Sequence, residues 1–422
     1  MIALRYNKSM LNKVGSFEFA SYEINSDKKT ISFKYRFILS EKEVIFEEKI
    51  ILPNAISDKV PQKLLHKILE SLHLILGISY WKMYCPEKII FPYLMSKEQL
   101  RFWNTVYLKG LGEFFYKNNI NYKKFDRLFL SNELICLEPV NLNDSKRING
   151  KILIGIGGGK DSIVAGEKLK KEKKNVIGFI LVNKGEEIKI KKDVLKILDI
   201  PYLIVGREMD EKLLKGDLNL PRVYNGHVPI TAIYSFISLL LAYVEGFSSI
   251  VIPNGKSADS GNVEYLGEMI NHQWSKSKEF EDLFQSYIKL YTTPGVEFGS
   301  VMRQMSDTEI FKEFIQYPKY FPYFSSCNKN FRILQKQKVK WCGQCAKCAY
   351  TFLMLAALIP KAEVITIFNS NLLEDSKLIP IYQDLLGQGK MKPFDCVGTE
   401  DEVRQALSLV IKKGEYKIDF KL

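Results

Sequence analysis

The sequence predicts an α/β protein: a doubly wound parallel sheet, with an α+β domain ahead of it and a small Cys-rich, metal-binding part behind. Three observations carry this. From Lys151 onward, short apolar runs alternate with amphipathic segments. The first 145 residues instead carry period-two segments followed by helical ones, and four cysteines late in the chain stand at metal-ligand spacing. The expected domains are 1–145, 151–320 and 321–422.

In the front domain, ISFKYRFIL from Ile31 and EVIFEEKIIL from Glu43 alternate apolar and charged positions, as a half-exposed antiparallel pair does. Pro61 opens a helix with Leu64, Leu65, Ile68, Leu69, Leu72 and Ile75 at helical spacing up to Gly77. A second helical stretch runs from Lys97 to Lys117. The aromatics around these helices (Tyr80, Trp81, Phe102, Trp103, Tyr107, Phe114, Phe115, Tyr116) are expected in the core. The polar segment NLNDSKRING, Asn141 to Gly150, reads as a linker.

The next stretch, KILIGIGGGKDSIVAGEKLKK, is the one the chain is organised around. Ile152, Leu153 and Ile154 form a strand, four glycines a tight loop, and Lys160, Asp161 and Ser162 open a helix. Glycines admit a close backbone approach, and a helix start offers unpaired N–H groups, so the loop suits phosphate. It is neither a Walker loop, because Asp161 follows Lys160, nor a dinucleotide loop, because Lys160 stands where the third Gly belongs. Further on, strands are expected at Asn175–Val182, Pro201–Val205 and Ser249–Ile252, with helices at Glu187–Leu198 and from His227 or Pro229 to Val244. Ligands of such sheets sit beyond the carboxyl ends of the strands. Two polar loops fall there: NGHVPIT with His227, and PNGKSADSGN with Asn254, Lys256, Ser257, Asp259, Ser260 and Asn262. NHQWSKSKEFE adds His272, Trp274 and Lys276.

Cys342, Cys345 and Cys348 in WCGQCAKC, with Cys327 fourteen intervening residues earlier, can close a tetrahedron around one ion. The spacing also begins the ferredoxin run, so zinc and an iron–sulfur cluster both remain open on spacing alone. Cys85, Cys136 and Cys396 read as packing residues. After the metal segment, AYTFLMLAALIP is a helix ended at Pro360, and Glu400–Lys413 a last helix with a Thr399/Glu402 capping box.

Composition excludes little. The net charge is +13, from 51 Lys and 10 Arg against 48 acids, and no stripe alternates Arg with aromatics, so nucleic acid is not the expected partner. The apolar run from Ala232 to Val244 is too short for a membrane span of about 30 Å. The N-terminus lacks a signal-peptide core, and the cysteine usage fits a reducing, cytoplasmic setting. Oligomeric state is not legible.

GGGKDS resembles the Ser-Gly-Gly-x-Asp-Ser loop of the PP-loop ATP pyrophosphatase superfamily, with Gly157 in place of the first Ser. The resemblance implies the PP-loop fold and cleavage of ATP to AMP and pyrophosphate. The cysteine arrangement resembles the zinc site of 7-cyano-7-deazaguanine synthases, which favours zinc. Taken with ISYWK, YLKGLGEFFYKN, NGHVPITA, INHQWSKSKEFE, FSSCN and PFDCVGT, the chain is similar to the UDP-N-acetyl-α-D-muramoyl-L-alanyl-L-glutamate epimerases from about residue 78 to 400. That family implies ATP-driven inversion of a terminal L-Glu of a UDP-muramoyl dipeptide through carboxylate adenylation. Gly157, Gly158, Gly159, Lys160, Asp161 and Ser162 are then expected on ATP, with Lys160 neutralising charge and Asp161 organising Mg²⁺ or the loop. His227 is expected to move the proton at Cα, its ordinary pKa of about 6.5 suiting exchange at neutral pH, with His272, Asp259 and Glu264 as rivals. Asn254, Lys256, Ser257, Asn262, His272, Lys276 and Arg303 are the substrate-binding candidates. The competing readings are a PP-loop ligase of the deazaguanine type, a tRNA-modifying thiolase and a non-catalytic nucleotide-binding regulator.

Overall fold

The computed structural model describes residues 14–39, 43–129, 150–186, 188–215, 223–331 and 340–418. Residues 141–149 of the expected linker, Glu187 at the expected helix start, and Cys136 lie outside these. The chain divides into two compact units that interleave along the sequence. The first comprises Met1–Lys146, Val205–Glu245 and Ser286–Gly295, and the second Arg147–Ile204, Gly246–Gln285 and Val296–Leu422.

In the first unit β1 (Val14–Ile24), β2 (Thr30–Leu39) and β3 (Glu43–Ile51) form an antiparallel meander, and β4 (Ile89–Ile90) pairs parallel with β1. The expected alternation is seen in burial: Ile31, Phe33, Tyr35, Phe37, Phe46 and Ile50 all point inward. β1 was not foreseen, although Phe17 and Phe19 line the same core. The Gln62–Trp81 helix continues past Gly77, where the sequence suggested a stop. A Cβ at Gly77 would stand 2.3 Å from the Phe19 ring, so this glycine lets the helix lie close on the sheet rather than ending it. The second helical stretch is two helices, Lys97–Gly110 and Gly112–Lys117. The aromatics expected in the core are buried, Tyr116 alone being half-buried.

The Ile230–Glu245 helix belongs to this unit rather than to the parallel-sheet domain in which its sequence position placed it. Its apolar residues run nearly all round, and it packs on the Gln62–Trp81 helix, with Phe236 stacked on Trp103. One inward position of β3 is an acid: Glu48, fully buried, accepts from Arg207 Nε at 2.7 Å.

In the second unit β5 (Ile152–Gly155), β6 (Val176–Asn183), the opening residues of β7 (Tyr202–Glu208, of which Val205–Glu208 belong to the first unit) and β8 (Ser249–Val251) are followed by a hairpin of β9 (Val263–Tyr265) and β10 (Glu268–Ile270), then by β11 (Glu297–Gly299). The strand order is β11-β8-β5-β6-β7, and β11, β8, β5 and β6 are mutually parallel. From β5 the chain moves one way to β6 and β7, then returns to place β8 on the other side. The order therefore reverses between β5 and β8, and a crevice opens at the carboxyl ends of those two strands. The Lys160–Lys171 and Lys189–Leu198 helices follow β5 and β6. The carboxyl-terminal helices, Ala346–Leu358, Lys361–Phe368, Ile379–Leu385 and Glu400–Lys413, share a core with the sheet through Ile154, Ile163, Phe311, Tyr350, Leu353 and Leu407. Pro360 ends one helix, as expected, and also caps the next. Among the described residues, no helix is long and apolar enough to cross a membrane.

Candidate active site

The glycine loop leaves β5 and turns at Gly158, whose φ of +86° and whose missing Cβ, which would lie 2.9 Å from Ile190 Cγ2, both require glycine. Gly159 caps the Lys160–Lys171 helix without a side-chain cap, which leaves the first-turn N–H groups to a ligand. At Gly157 a Cβ would meet nothing within 4 Å, so there is no steric reason for a glycine at this position. Ser162 Oγ donates to Gly159 O at 2.9 Å, closing the loop on itself.

Lys160 is 3% exposed, and its ammonium donates to Asp161 Oδ1 at 2.6 Å and to Asp307 Oδ1. Burial disfavours the charged amine, yet the two carboxylates hold it firmly protonated. Asp307 is the reciprocal case: burial favours its neutral form, but Lys160 and then Lys347 hold it below the usual carboxylate range. The Tyr350 hydroxyl donates to its other oxygen. The Lys160–Asp161–Asp307 group thus carries one net negative charge, which invites a cation beside the glycine loop.

Asp307 was not singled out from the sequence. It opens the Asp307–Phe314 helix behind a Ser306/Glu309 capping box, and its N–H donates to Ser257 Oγ at 2.9 Å. Ser257 in turn donates to Glu402 Oε1 at 2.9 Å, which also accepts from the Thr308 N–H at 3.1 Å. The other oxygen of Glu402 completes the expected capping box with Thr399. The terminal helix, in which the sequence showed no chemistry, therefore positions the loop after β8.

Between the ends of β5 and β8 lies a small open pocket, about 370 Å³ when the open solvent at its mouth is included. Four of the expected residues line it: Asp161, Asn254, Ser257 and Lys276. So do Gln273, Asp307, Lys347 and Cys396, none of which the sequence reading nominated. Cys396, expected to be a packing residue, is only half-buried, with Sγ 3.2 Å from Lys276 Nζ and 3.9 Å from His272 Nε2. Burial alone would raise its thiol, but the Lys276 ammonium, then His272 and Lys347, pull the pKa down to about 5. Cys85 does behave as a packing residue, fully enclosed, with burial pushing its thiol far up.

The remaining candidates sit elsewhere. Arg303 is buried, bound to Glu281 Oε2 at 2.7 Å and to Gly255 O at 3.2 Å, and braces the β8 loop. Lys256 is exposed. Asn262 bridges Pro393 O and the His272 N–H, both at 2.8 Å. Asp259 accepts from the Lys278 N–H at 2.7 Å, and Glu264 is exposed on β9. His227 belongs to the first unit, where Nδ1 is 3.8 Å from Glu113 Oε2.

The sulfurs of Cys327, Cys342, Cys345 and Cys348 all lie within 4.8 Å of one another. Cys348 Sγ is 3.8 Å from that of Cys342 and 3.5 Å from that of Cys345. A tetrahedron with metal–sulfur bonds of about 2.3 Å has edges of about 3.8 Å, so the four thiols fit one four-coordinate ion with no open position. Gly343, with φ +66°, makes the turn between ligands, and the Gln344 N–H points at Cys342 Sγ, 3.4 Å away. The site braces the glycine loop, since the Ser325 N–H, next to this cluster, donates to Gly158 O at 3.1 Å.

Comparison with known proteins agrees with the sequence resemblance. Residues 8–301 match the MurL N-terminal domain and residues 323–420 the MurL C-terminal domain. The UDP-N-acetyl-α-D-muramoyl-L-alanyl-L-glutamate epimerase of Salinispora tropica is 33% identical over 412 residues, covering 96% of this chain and 87% of that protein. The epimerase of the same name from Xanthomonas oryzae pv. oryzae is 34% identical over 354 residues, covering 83% and 76%. An NMN synthetase structure from Francisella tularensis aligns over 54% of this chain and 87% of its own with 15% identity and a TM-score of 0.27, too low to carry an argument. With both domain models matched in order along one chain and full-length relatives of a single name, the protein belongs to the UDP-N-acetyl-α-D-muramoyl-L-alanyl-L-glutamate epimerase family of enzymes.

Proposed function

We propose that this chain is the ATP-dependent epimerase that converts the terminal L-Glu of UDP-MurNAc-L-Ala-L-Glu to D-Glu, with release of AMP and pyrophosphate. The observation that carries the proposal is the pocket at the sheet reversal, where an uncapped helix start and the Lys160–Asp161–Asp307 group stand together. A carboxylate hardly loses its Cα proton, because the carbanion would form beside an anion. Adenylation removes that charge and acidifies the Cα–H; deprotonation, reprotonation from the opposite face and hydrolysis then give the D product.

On this reading the second unit is a PP-loop ATP pyrophosphatase module, and Gly157, Gly158, Gly159 and Ser162 surround the triphosphate. Lys160 and Asp161 organise Mg²⁺ and the α phosphate, the net negative charge of their group favouring the divalent ion. Lys276 and Asn254 face the substrate across the pocket, while Ser257, Asn262, His272, Lys256 and Arg303 shape or border its loops. His227 exchanges the Cα proton. The four thiolates hold a structural zinc, since a closed thiolate site supports folding and takes no part in the reaction.

The test is a coupled assay for AMP and pyrophosphate with ATP, Mg²⁺ and UDP-MurNAc-L-Ala-L-Glu, followed by chiral analysis of the glutamate. Both products with D-Glu are expected. Release only with a carboxydeazaguanine and ammonia, or with tRNA, would keep the nucleotide site and overturn the substrate. Replacement of His227 by Gln should abolish formation of D-Glu carrying deuterium at Cα in D₂O, and retention of that product would remove His227 from the role.

A further inference from the structure

The residues named so far explain adenylation better than inversion, and one half-buried group in the same pocket has no part in either. Cys396 is held rigidly. The Lys347 ammonium donates to its carbonyl, Gln273 Nε2 donates to the next carbonyl, of Val397, at 3.2 Å, and the Val397 N–H closes a turn onto Asp395 O at 2.9 Å. Its sulfur faces a pocket shared with Asp161 and Asn254, beside the Lys276 ammonium.

We infer that Cys396 is a catalytic residue of this epimerisation, its thiolate removing the Cα proton of the activated glutamate. The inference rests on the epimerase reading above and names a group that serves one face of the carbon. In the step, sulfur takes the proton and the C–H electron pair becomes the C=C bond of an enolate, with negative charge on the acyl oxygen. A second donor then protonates the opposite face, the acyl group is restored and water releases AMP; the thiol returns its proton to solvent. Nothing is oxidised or reduced. The fixed cations facing the sulfur supply what the step needs: Lys276 from the turn after β10, Lys347 from the Ala346–Leu358 helix, and Lys392 from the segment leading to Cys396 itself, while the His272 ring, from the same turn as Lys276, stands 3.9 Å away. They keep the sulfur ionised at neutral pH, and the Lys276 charge is left free for the developing enolate once the thiolate is neutralised.

The experiment compares the wild type with Cys396→Ala and Cys396→Ser in D₂O, with ATP, Mg²⁺ and UDP-MurNAc-L-Ala-L-Glu. Pyrophosphate, D-Glu and deuterium at Cα are measured together. The expected result in both variants is a fall of about 100-fold or more in D-Glu formed per pyrophosphate released, with Cα exchange falling in step. A wild-type ratio in Cys396→Ala would overturn the inference, and so would a substrate-derived mass adduct on Cys396, which would make sulfur a nucleophile instead. Pyrophosphate release by the variants reports that they are folded. If neither releases it, iodoacetamide labelling of the wild type decides. A Cys396 rate that is flat from pH 6 to 9 and suppressed by substrate supports the inference, and a rate that climbs through the ordinary thiol range near ~8.5 overturns it. A wild type that forms no AMP with this substrate defeats the epimerase reading itself, a failure visible before any cysteine is changed.

Discussion

Two neighbouring glycines of the loop after β5 make opposite demands. Gly158 has positive φ and no room for a methyl group, so Gly158→Ala should cost more than about 1 kcal/mol in urea unfolding. Gly157 has open space around it, so Gly157→Ser should stay within about 0.5 kcal/mol of wild type. Equal losses at both positions would show that the loop is tighter than its geometry implies. At Asp161 the expectation concerns chemistry. This carboxylate is partly exposed to the pocket while Asp307 is enclosed, so Asp161→Ala should lose pyrophosphate release while the protein stays folded. Normal release would take Mg²⁺ organisation away from Asp161. The loop residues were legible because their chemistry is written in consecutive positions. Asp307 and Cys396 were not, because what marks them is contact with Lys160 and Lys276, and these lie far off along the chain. A cysteine read without its neighbours defaults to packing, as Cys85 rightly did.

At the scale of elements, the same divide separates what the sequence disclosed from what it hid. Strands β2 and β3, the helix after the glycine loop and the Thr399/Glu402 cap follow from local period and local hydrogen bonds. The end of the Gln62–Trp81 helix does not, because Gly77 gains its place from contact with Phe19 on a strand the pattern did not reveal. The cysteine cluster was legible in its ligands but not in its use. Its Cys327 arm reaches the glycine loop through the Ser325 N–H to Gly158 O, so an ion held there would do more than staple the carboxyl-terminal helices. Cys345→Ser should lose bound metal, lower the Tm and weaken ATP binding measured by calorimetry. A variant that loses metal and Tm yet binds ATP as tightly as wild type would confine the site to folding.

Across the whole molecule, the same electrostatic environments that tune the groups also set how stability depends on pH. His73, enclosed in the first unit between Tyr93 and the Lys34 carbonyl, has its pKa pushed down by burial to about 3, so it folds neutral while the unfolded chain protonates it below about 6.5. Its contribution is complete above that ordinary value and is lost as pH falls toward 3. Cys396 folds as thiolate down to about 5, whereas an unfolded cysteine is a thiol below about 8.5; its contribution is complete above 8.5 and is lost as pH falls toward 5. Both signs agree: between pH 6.5 and 5 the unfolded chain holds up to two extra protons on these residues. Each proton gives a slope of about 1.4 kcal/mol per pH unit. Lys276, whose pKa is raised by Cys396 against the effect of burial, stays charged in both states across this range and leaves the slope alone. Asp307, held low by Lys160, adds its loss only below the usual carboxylate value. Urea unfolding of the wild type should therefore lose stability steeply on acidification through this window. Cys396→Ser and His73→Gln should each flatten the curve by about one proton, in different units of the same chain. A Cys396→Ser curve parallel to wild type between pH 8 and 6 would mean that the sulfur folds as a thiol, and would count against its part in catalysis as well as its part in stability.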